Sequence, residues 1–205
     1  MNTADPATSE MLAALSAVDP ADLERMHAAF VAAASAEGDL DVAYRTLDSP
    51  VGVLLLAATE RGLVRVAFQR EDHDAVLERL ARAISPRILR APDRLDAVAR
   101  ELDEYFAGTR QRFDLPLDHQ LSKGFRRSVL AHLPEIGYGQ TKSYAQVALA
   151  AGSPRAVRAV GTACATNPLP LVVPCHRVVR SDGSFGSYLG GVEAKQLLLH
   201  LEGVA

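Results

Sequence analysis

Residues 167–178 read Asn-Pro-Leu-Pro-Leu-Val-Val-Pro-Cys-His-Arg-Val. Three prolines surround a short apolar run, which excludes a helix and restricts the backbone. We expect Leu171 to Val173 to form a buried, strand-like segment that holds Cys175 in a set place. Because prolines at this density remove backbone hydrogen bonds, the segment is typical of a functional site rather than of a regular element.

Cys175 is the candidate nucleophile. A free thiol has a pKa of about 8.5 and is only about 3% thiolate at pH 7, so a nucleophilic cysteine needs a base or a positive charge beside it. His176 is adjacent, but neighbouring side chains of an extended backbone point to opposite sides. A bridging water therefore stays open as an alternative to a direct hydrogen bond. A histidine base also needs an acceptor on its other nitrogen, and Glu202 is one candidate that the residues alone do not single out. Cys164, with no base nearby, is interpreted as a small buried hydrophobe.

From Ser122 onward the pattern is mostly helical. It predicts a helix over 122–133 with Ser122 as its cap, a turn at Tyr138-Gly139, and a helix over 143–150. Gly152-Ser153-Pro154 then breaks the chain, and Ser153 as cap with Pro154 in first position predicts a helix up to Ala165. The two helices have the outline of a helix-turn-helix, a weak indication by itself.

The second of these helices has an unusual composition. It is nearly all small residues, with Arg155 and Arg158 three positions apart. Since residues three apart share a helix face, both guanidinium groups are expected to project together. Small side chains at Ala156, Ala159 and Gly161 allow close approach to a DNA groove. A helix packed tightly against its neighbours also favours Ala and Gly, and this alternative stays open.

The N-terminal part has a different pattern. Strands are predicted over 42–46, 51–58 and 63–68, and helices over 72–84 and 93–106. Before them, Ala-rich stretches at 11–15 and 23–34 follow the plausible caps Ser9 and Asp19-Pro20. We therefore predict an α+β fold: a helical extension over 1–41, a small sheet-containing domain over 42–118, and a mostly helical domain with a helix-turn-helix over 119–205.

The charge of the chain is divided unevenly. Residues 1–118 carry 13 Lys and Arg against 21 Asp and Glu, a net charge of −8, whereas residues 119–205 carry 9 against 4, a net charge of +5. A basic C-terminal part suggests a polyanionic partner, although solvated charges can also fall unevenly by chance. No stretch is apolar for long enough to span a bilayer, and no export signal is visible. We expect an intracellular, cytoplasmic protein with reduced thiols and no membrane partner.

Residues 123–203 resemble the catalytic domain of the O6-alkylguanine-DNA alkyltransferases, also called methylated-DNA–protein-cysteine methyltransferases. A weaker similarity extends back to about Val42, and residues 1–41 are not covered. The resemblance is carried by the following residues: Tyr144, Arg158, Asn167-Pro168, Pro174 to Val178, Gly183, Gly186, Tyr188, Gly190-Gly191, Lys195 and Glu202-Gly203.

The resemblance implies that Cys175 accepts the alkyl group from O6 of guanine irreversibly, so each molecule acts once. It implies that His176 accepts the thiol proton through a water, that Glu202 orients His176, and that Asn167 braces the turn at the active site. Tyr144 would help to flip the base and hydrogen-bond the purine. No metal or organic cofactor is implied, and no zinc site is expected, because no cysteine precedes Cys164.

The implied partner is double-stranded DNA containing O6-alkylguanine, bound through its minor groove by a bacterial-type monomer that acts on chromosomal DNA. Arg158 would enter the duplex in place of the flipped nucleotide. Arg155, Ala156, Ala159, Gly161 and Tyr144 would complete the DNA-binding surface. The implied base pocket consists of five residues: Pro170, Val173, Ser187, Tyr188 and Leu189.

Two features depart from the family's pattern. Leu189 stands where some relatives carry a side chain able to hydrogen-bond the base oxygen, and the chain has no tryptophan. The range of lesions is therefore open. Two other interpretations also stay open: a module that binds alkylated DNA and recruits repair factors without transfer, and a cysteine hydrolase or thiol redox protein. The first normally lacks the cysteine, and the second leaves the arginine-bearing helix unexplained.

Overall fold

The computed structural model describes residues 19–204. In this range the N-terminal extension contributes one helix, α1 (Pro20–Glu37), which begins after Asp19. The Asp19 carboxylate accepts a hydrogen bond from the amide two residues on, and Gly38, at φ 75°, ends the helix in the left-handed conformation. The predicted helix over 23–34 is confirmed within this longer one. The predicted helix over 11–15, with its serine cap, lies outside the described residues.

The residues from Asp41 onward form a separate unit, which begins with a four-stranded sheet. The strands are β1 (Val42–Leu47), β2 (Leu54–Thr59), β3 (Gly62–Phe68) and β4 (Ile88–Arg90). Their spatial order is β3-β2-β1-β4. The pairs β1–β2 and β2–β3 are antiparallel, whereas β4 runs parallel to β1.

The three predicted strands are confirmed, with one shifted boundary and one omission. Strand β2 begins at Leu54 and not at residue 51, because a turn closed by the Gly52 amide on the Ser49 carbonyl (3.0 Å) occupies the preceding residues. Strand β4 was not predicted from the sequence. It is three residues long and has no alternating pattern, so its pairing with β1 defines it.

Two helices accompany the sheet. Helix α2 (His73–Ala83) is capped by the Asp72 carboxylate, and helix α3 (Asp96–Phe106) follows a 3-10 turn over Pro92–Leu95. Both predicted helices are confirmed, although the first turn predicted for α3 is this 3-10 turn. The central core of this region is apolar and fully buried: Val42, Leu55, Ala57, Val64, Ala67, Val76 and Leu80.

The chain leaves this region along the free edge of β3. The Leu63 amide donates to the Pro116 carbonyl, and the Asp118 amide donates to the Leu63 carbonyl, both at 2.9 Å. A Cβ at Gly62 would lie 2.1 Å from the Pro116 oxygen, so only glycine allows this approach. The segment that precedes the helical part is therefore fixed to the sheet.

The C-terminal part is mostly helical. Its elements are α4 (Gly124–His132), α5 (Tyr144–Ala150), α6 (Val157–Ala165), α7 (Val192–Leu201) and the parallel pair β5 (Lys142–Ser143) and β6 (Val178–Val179). The predicted capping role of Ser122 is wrong. Its amide closes a turn on the His119 carbonyl (2.9 Å), and Lys123 occupies the N-cap position without a side-chain cap.

Helices α5 and α6 form the predicted pair around a short turn. Ser143 caps α5 as predicted, in a reciprocal capping box with Gln146. Helix α6, however, begins at Val157, because the Ala156 amide closes a turn on the Ser153 carbonyl (2.8 Å). Arg155 therefore lies in that turn, ahead of the helix, and the shared helix face predicted for it and Arg158 is wrong.

The architecture is α+β, with a small sheet region followed by a mostly helical part, as the sequence predicts. Within residues 19–204, none of the helices combines the length and the apolar character that a membrane span requires.

Candidate active site

The segment that carries Cys175 is a series of tight turns. The Val173 amide donates to the Leu169 carbonyl, and the Cys175 amide donates to the Val173 carbonyl, both at 2.8 Å. Leu171 adopts a left-handed conformation at φ 72°, which is rare for a branched side chain. The segment is buried, as predicted, but the strand-like conformation predicted for it is wrong. The surrounding prolines leave too few amides for a ladder, and hydrogen bonds within the turn replace it.

Asn167 connects this turn to the thiol. Its Nδ2 donates to the Val173 carbonyl at 2.8 Å and to Cys175 Sγ at 3.2 Å, while its Oδ1 accepts from the Leu169 amide at 3.0 Å. The side chain is fully buried. A donor aimed at sulfur stabilises the thiolate over the thiol, so Asn167 is both a brace and an electrostatic partner.

The thiol itself is sheltered. Cys175 is 2% exposed and begins a 3-10 turn over Cys175–Arg177. Burial raises its pKa to about 11, and the Asn167 hydrogen bond only partly opposes that effect. In the resting protein at neutral pH, Cys175 is therefore a thiol, and a base must remove its proton before it can act as a nucleophile.

His176 and Glu202 are in direct contact. His176 Nε2 lies 2.9 Å from Glu202 Oε1, and both side chains are completely buried. Burial lowers the pKa of the His176 imidazole, and the Glu202 carboxylate only partly offsets this. The histidine is therefore neutral at pH 7. Its Nδ1 has no hydrogen-bond partner among the described residues.

Glu202 receives donors from three directions besides His176. Arg177 donates through Nε to Oε2 and through Nη2 to Oε1, each at 2.9 Å. The Tyr105 hydroxyl donates to Oε1 at 2.7 Å, and the Gly139 amide donates to Oε2 at 3.4 Å. Burial would raise the pKa of the Glu202 carboxyl, but the hydrogen bonds from His176 and Arg177 outweigh it and lower the pKa to about 2.

These charges fix the histidine tautomer. An ionised Glu202 can only accept, so His176 Nε2 carries the proton and Nδ1 presents a lone pair. That lone pair belongs to a buried acceptor one residue from Cys175. A neutral imidazole with one oriented nitrogen and one unoccupied acceptor has the arrangement of a general base.

Lys195 supplies a positive charge near the thiol. It is fully buried on α7, and its Nζ donates to the Val178 carbonyl at 2.6 Å. Burial lowers the pKa of Lys195, and in the ionised form its charge lowers the pKa of Cys175. The site therefore holds a neutral imidazole and a cation, two groups of the kind that favour thiolate formation.

A groove beside the helix-turn-helix brings several predicted residues together. Tyr144, Arg158 and Ser187 line a cavity of about 450 Å³, which also includes Arg180. The backbone of Gly186 packs against the Tyr144 ring, since a Cβ there would lie 2.3 Å from the hydroxyl oxygen. Arg158 is exposed and forms no ion pair with any residue between 19 and 204. The same groove is therefore lined by an exposed cation and by an aromatic ring that carries a hydroxyl.

The remaining predicted residues occupy different environments. Ala159 is exposed, and Ala156 and Gly161 are half-buried, so small side chains do face outward from α6 and the turn before it. Within the predicted base pocket, Pro170, Val173 and Tyr188 are buried. Leu189 lines a separate cavity of about 390 Å³ together with Asn167 and residues of the sheet region. The structure therefore does not bring Leu189 into the groove with Ser187.

Tyr188 connects the base-pocket segment to the histidine. Its ring lies edge-on to His176, with centroids 6.3 Å apart, and edge-on to Phe68 at 5.5 Å. The Tyr188 hydroxyl is buried and has no partner among residues 19–204. In the same range, His, Cys, Asp and Glu side chains do not form a group of three that could hold a metal ion.

Four residues of this site were not predicted from the sequence. Arg177 and Lys195 lie inside the segments that carried the resemblance, so their positions alone could have suggested them. Arg180 follows β6 directly and is exposed, so nothing local marks it as a site residue. Tyr105 gives no local signal, because it is 97 residues from its partner Glu202 and belongs to the sheet region.

Comparisons with known proteins give two matching family models and a set of relatives. The family model of the 6-O-methylguanine DNA methyltransferase, ribonuclease-like domain, matches residues 42–119, and that of the DNA binding domain of the same enzyme matches residues 124–204. The methylated-DNA–protein-cysteine methyltransferase of Methanosarcina barkeri is 38% identical over 165 residues, which are 78% of this chain and 96% of that protein.

Two solved structures are similar to this chain over most of its length. The O6-methylguanine methyltransferase of Mycobacterium tuberculosis superposes with a TM-score of 0.68 at 36% identity, over 78% of this chain and 92% of that one. A structure of Mycobacterium tuberculosis OGT in complex with DNA superposes with a TM-score of 0.67 at 34% identity, over 78% and 93% of the two chains.

Proposed function

This chain belongs to the 6-O-methylguanine DNA methyltransferase family, and on that premise we propose that it repairs DNA by transferring an alkyl group from O6 of guanine to Cys175. One observation carries the proposal. A buried thiol, held by Asn167 at 3.2 Å, is followed by a neutral histidine whose Nδ1 is an unoccupied acceptor. Relatives named methylated-DNA–protein-cysteine methyltransferases support the same activity.

The transfer is an in-line displacement at the alkyl carbon. The Cys175 thiolate forms the S–C bond with its electron pair while the C–O6 bond breaks, and that bond's electron pair leaves with the guanine. The guanine leaves as an anion, and the proton released from Cys175, carried first by His176, finally neutralises it, so the products are the thioether and neutral guanine. The balance needs only the thiol, a proton carrier and the lesion, with no oxidant, reductant or added cofactor.

The proton leaves Cys175 through His176. We assign His176 Nδ1 as the acceptor, because Nε2 is already committed to Glu202 at 2.9 Å, and a water as the relay from Sγ, because Nδ1 makes no direct hydrogen bond within the described residues. Glu202 stays ionised, since the hydrogen bonds of His176 and Arg177 hold its carboxyl pKa near 2. It therefore stabilises the imidazolium that forms without accepting the proton itself.

The product limits the protein to one turnover. A thioether at Cys175 is not displaced by water or by a second base under physiological conditions. The alkylated protein therefore does not regenerate its thiol, and each molecule repairs one lesion. The alkyl groups that fit are set by the space around Tyr144, Gly186 and Ser187.

The target base must leave the duplex to reach a residue that is 2% exposed. We propose that Arg158 enters the stack in place of the flipped nucleotide and that Tyr144, across the same groove, hydrogen-bonds the purine. The exposed small residues of α6 support minor-groove binding, because they let the helix backbone approach the duplex closely. The protein acts on double-stranded DNA as a monomer.

The proposed domains follow one another along the chain. We assign residues 42–118 to an α+β domain, residues 119–205 to the domain that binds DNA and accepts the alkyl group, and residues 1–41 to an extension outside both. Both family models begin at residue 42 or later, which supports the first boundary.

Transfer is tested by incubating the protein with a duplex that contains one O6-methylguanine. Intact mass should rise by one methyl group, and peptide mapping should place the methyl on Cys175. Cys164→Ala is the matched control, since Cys164 is also buried but the Asn167 side chain donates to the sulfur of Cys175 and not to that of Cys164, and it should be methylated like the wild type. A protein that binds this duplex while Cys175 stays unmodified would instead be a module that recognises alkylated DNA and recruits other repair factors.

A further inference from the structure

Tyr105 belongs to α3, in the sheet region, yet its hydroxyl reaches the centre of the site. It donates to Glu202 Oε1 at 2.7 Å, and this oxygen also receives His176 Nε2 at 2.9 Å. Tyr105 and Glu202 are both buried. Arg177 Nη2 also donates to Oε1 at 2.9 Å, so three donors compete for the electron density of this oxygen, and Tyr105 is the one that comes from the sheet region.

That competition affects the histidine. The more strongly Oε1 is bound by other donors, the less negative charge it offers to the imidazolium that forms when His176 takes up a proton. A phenolic hydroxyl at 2.7 Å is a charge-assisted donor of the strong type. Tyr105 consequently makes protonated His176 less stable than Glu202 alone would make it.

We propose that Tyr105 is a positioning residue for the alkyl transfer, which sets the basicity of His176 through Glu202. The inference rests on the proposed function, because it assigns the role of His176 within that reaction. Tyr105 keeps His176 unprotonated, and so able to accept, over a wider range of acidic pH.

Other charged and titratable groups also lie around this pair. Arg177, from the Cys175 turn, binds both carboxylate oxygens, and Lys195 from α7 disfavours a positive His176. Tyr138 lies beside Arg177, and Tyr188 packs edge-on against His176. Of these, Arg177 is the other side chain that bonds to Oε1 in the described part of the chain.

A purely structural role for Tyr105 predicts a different outcome. Its ring packs against Phe106, Phe113 and Tyr138, with centroids 5.3 to 6.2 Å apart. Tyr105→Phe keeps this packing and removes only the hydroxyl. If packing were its role, the variant would transfer alkyl groups with the pH dependence of the wild type.

The test is the pH dependence of single-turnover transfer at saturating O6-methylguanine duplex, for the full chain and its Tyr105→Phe variant. Loss of the donor should raise the pKa of His176, so the acid limb of the rate should move upward by about half a pH unit or more. Tyr138→Phe is the matched control: its hydroxyl donates to the Leu201 carbonyl at 2.8 Å instead. Its acid limb should coincide with that of the wild type.

A second measurement needs no activity. Titration of the His176 ring by nitrogen-edited NMR should show the same upward shift in Tyr105→Phe, and in a Glu202→Gln background the Tyr105 substitution should shift nothing further. Unchanged titration and unchanged acid limb in a folded Tyr105→Phe would overturn the inference. Absence of transfer in the wild type would instead overturn the proposed function, and the NMR titration would still decide the role of Tyr105.

Discussion

Arg65 Nη1 donates to the main-chain oxygen of Asn167 at 3.3 Å and so connects strand β3 to the residue that holds the thiol. The next amide along β3, that of Val66, donates to the Pro168 carbonyl at 2.9 Å. Arg65 also forms an ion pair with Glu71 in which both side chains are mostly buried. The edge of the sheet and this ion pair together support the turn in front of Cys175.

This support predicts a stability effect. Arg65→Ala should lower the free energy of unfolding by about 3 kcal/mol, because it leaves the mostly buried Glu71 carboxylate without its cationic partner. Urea denaturation of the full chain measures the change. Arg82→Ala is the control, since its pair with Glu78 is exposed, and it should change stability by less than about 0.5 kcal/mol. Equal effects of the two substitutions would contradict the role of Arg65.

Arg158 should affect the rate of repair of duplex DNA and not the alkyl-transfer step itself. Arg158→Ala should slow repair of a duplex about 10- to 100-fold, because a few kcal/mol of unstacking is no longer compensated, while the reaction with free O6-benzylguanine changes little. The measurement is the rate of the wild type and of Arg158→Ala on each of the two substrates. Arg155→Ala, in the turn before α6, should mainly reduce the salt dependence of DNA affinity. Equal losses of rate on both substrates for Arg158→Ala would argue against base flipping by this residue.

The buried thiol predicts how stability changes in alkaline solution. Unfolded Cys175 loses its proton above about pH 9, whereas the folded thiol keeps it up to about pH 11. The unfolded state therefore binds fewer protons in this window, and stability falls as the pH rises. Cys175→Ser should reduce that fall by about 3 kcal/mol, as measured by denaturation at a series of pH values. Below pH 8 the slopes of the two proteins should agree, and identical slopes above pH 9 would show that the thiol is not buried in solution.

Gly186 is expected to be required for the position of Tyr144. In Gly186→Ala the new Cβ would lie 2.3 Å from the Tyr144 hydroxyl, so the ring must move away from the groove. Single-turnover repair should slow at least about tenfold, as expected for a displaced catalytic contact. Gly137→Ala is the control, because its Cβ would meet only the end of the flexible Gln140 side chain at 3.3 Å. A normal rate in Gly186→Ala would remove Tyr144 from the proposed mechanism.

Local signals in the sequence predicted only part of the local structure. The Ser143 cap acts within three residues, and the structure contains it with its Gln146 partner. The start of α6 was predicted wrongly because Ser153-Pro154 fits a helix start and a turn equally well, and the Ala156–Ser153 hydrogen bond selects the turn. Strand β4 exists through its pairing with β1, a contact that residues 88–90 alone do not encode.

The residues of the site also differ in whether the local sequence could predict them. The quoted Pro-Cys-His-Arg segment marks its own chemistry, so Cys175 and His176 could be proposed from their neighbours. Glu202 required the resemblance, because it is 26 residues from His176. Tyr105 and Arg65 approach the site from the sheet region, 97 and 102 residues from their partners. Such contacts arise from tertiary packing, which no local pattern reports.

The burial of Cys175 has a consequence for the lifetime of the unreacted protein. Oxidants and soluble electrophiles attack exposed thiolates in preference to buried thiols, and Cys175 is 2% exposed with a pKa near 11. A single-use acceptor with an open, acidic thiol would be consumed by peroxide or by small electrophiles before it met a lesion. The burial of Cys175 therefore protects a thiol that, in the proposed reaction, accepts an alkyl group only once.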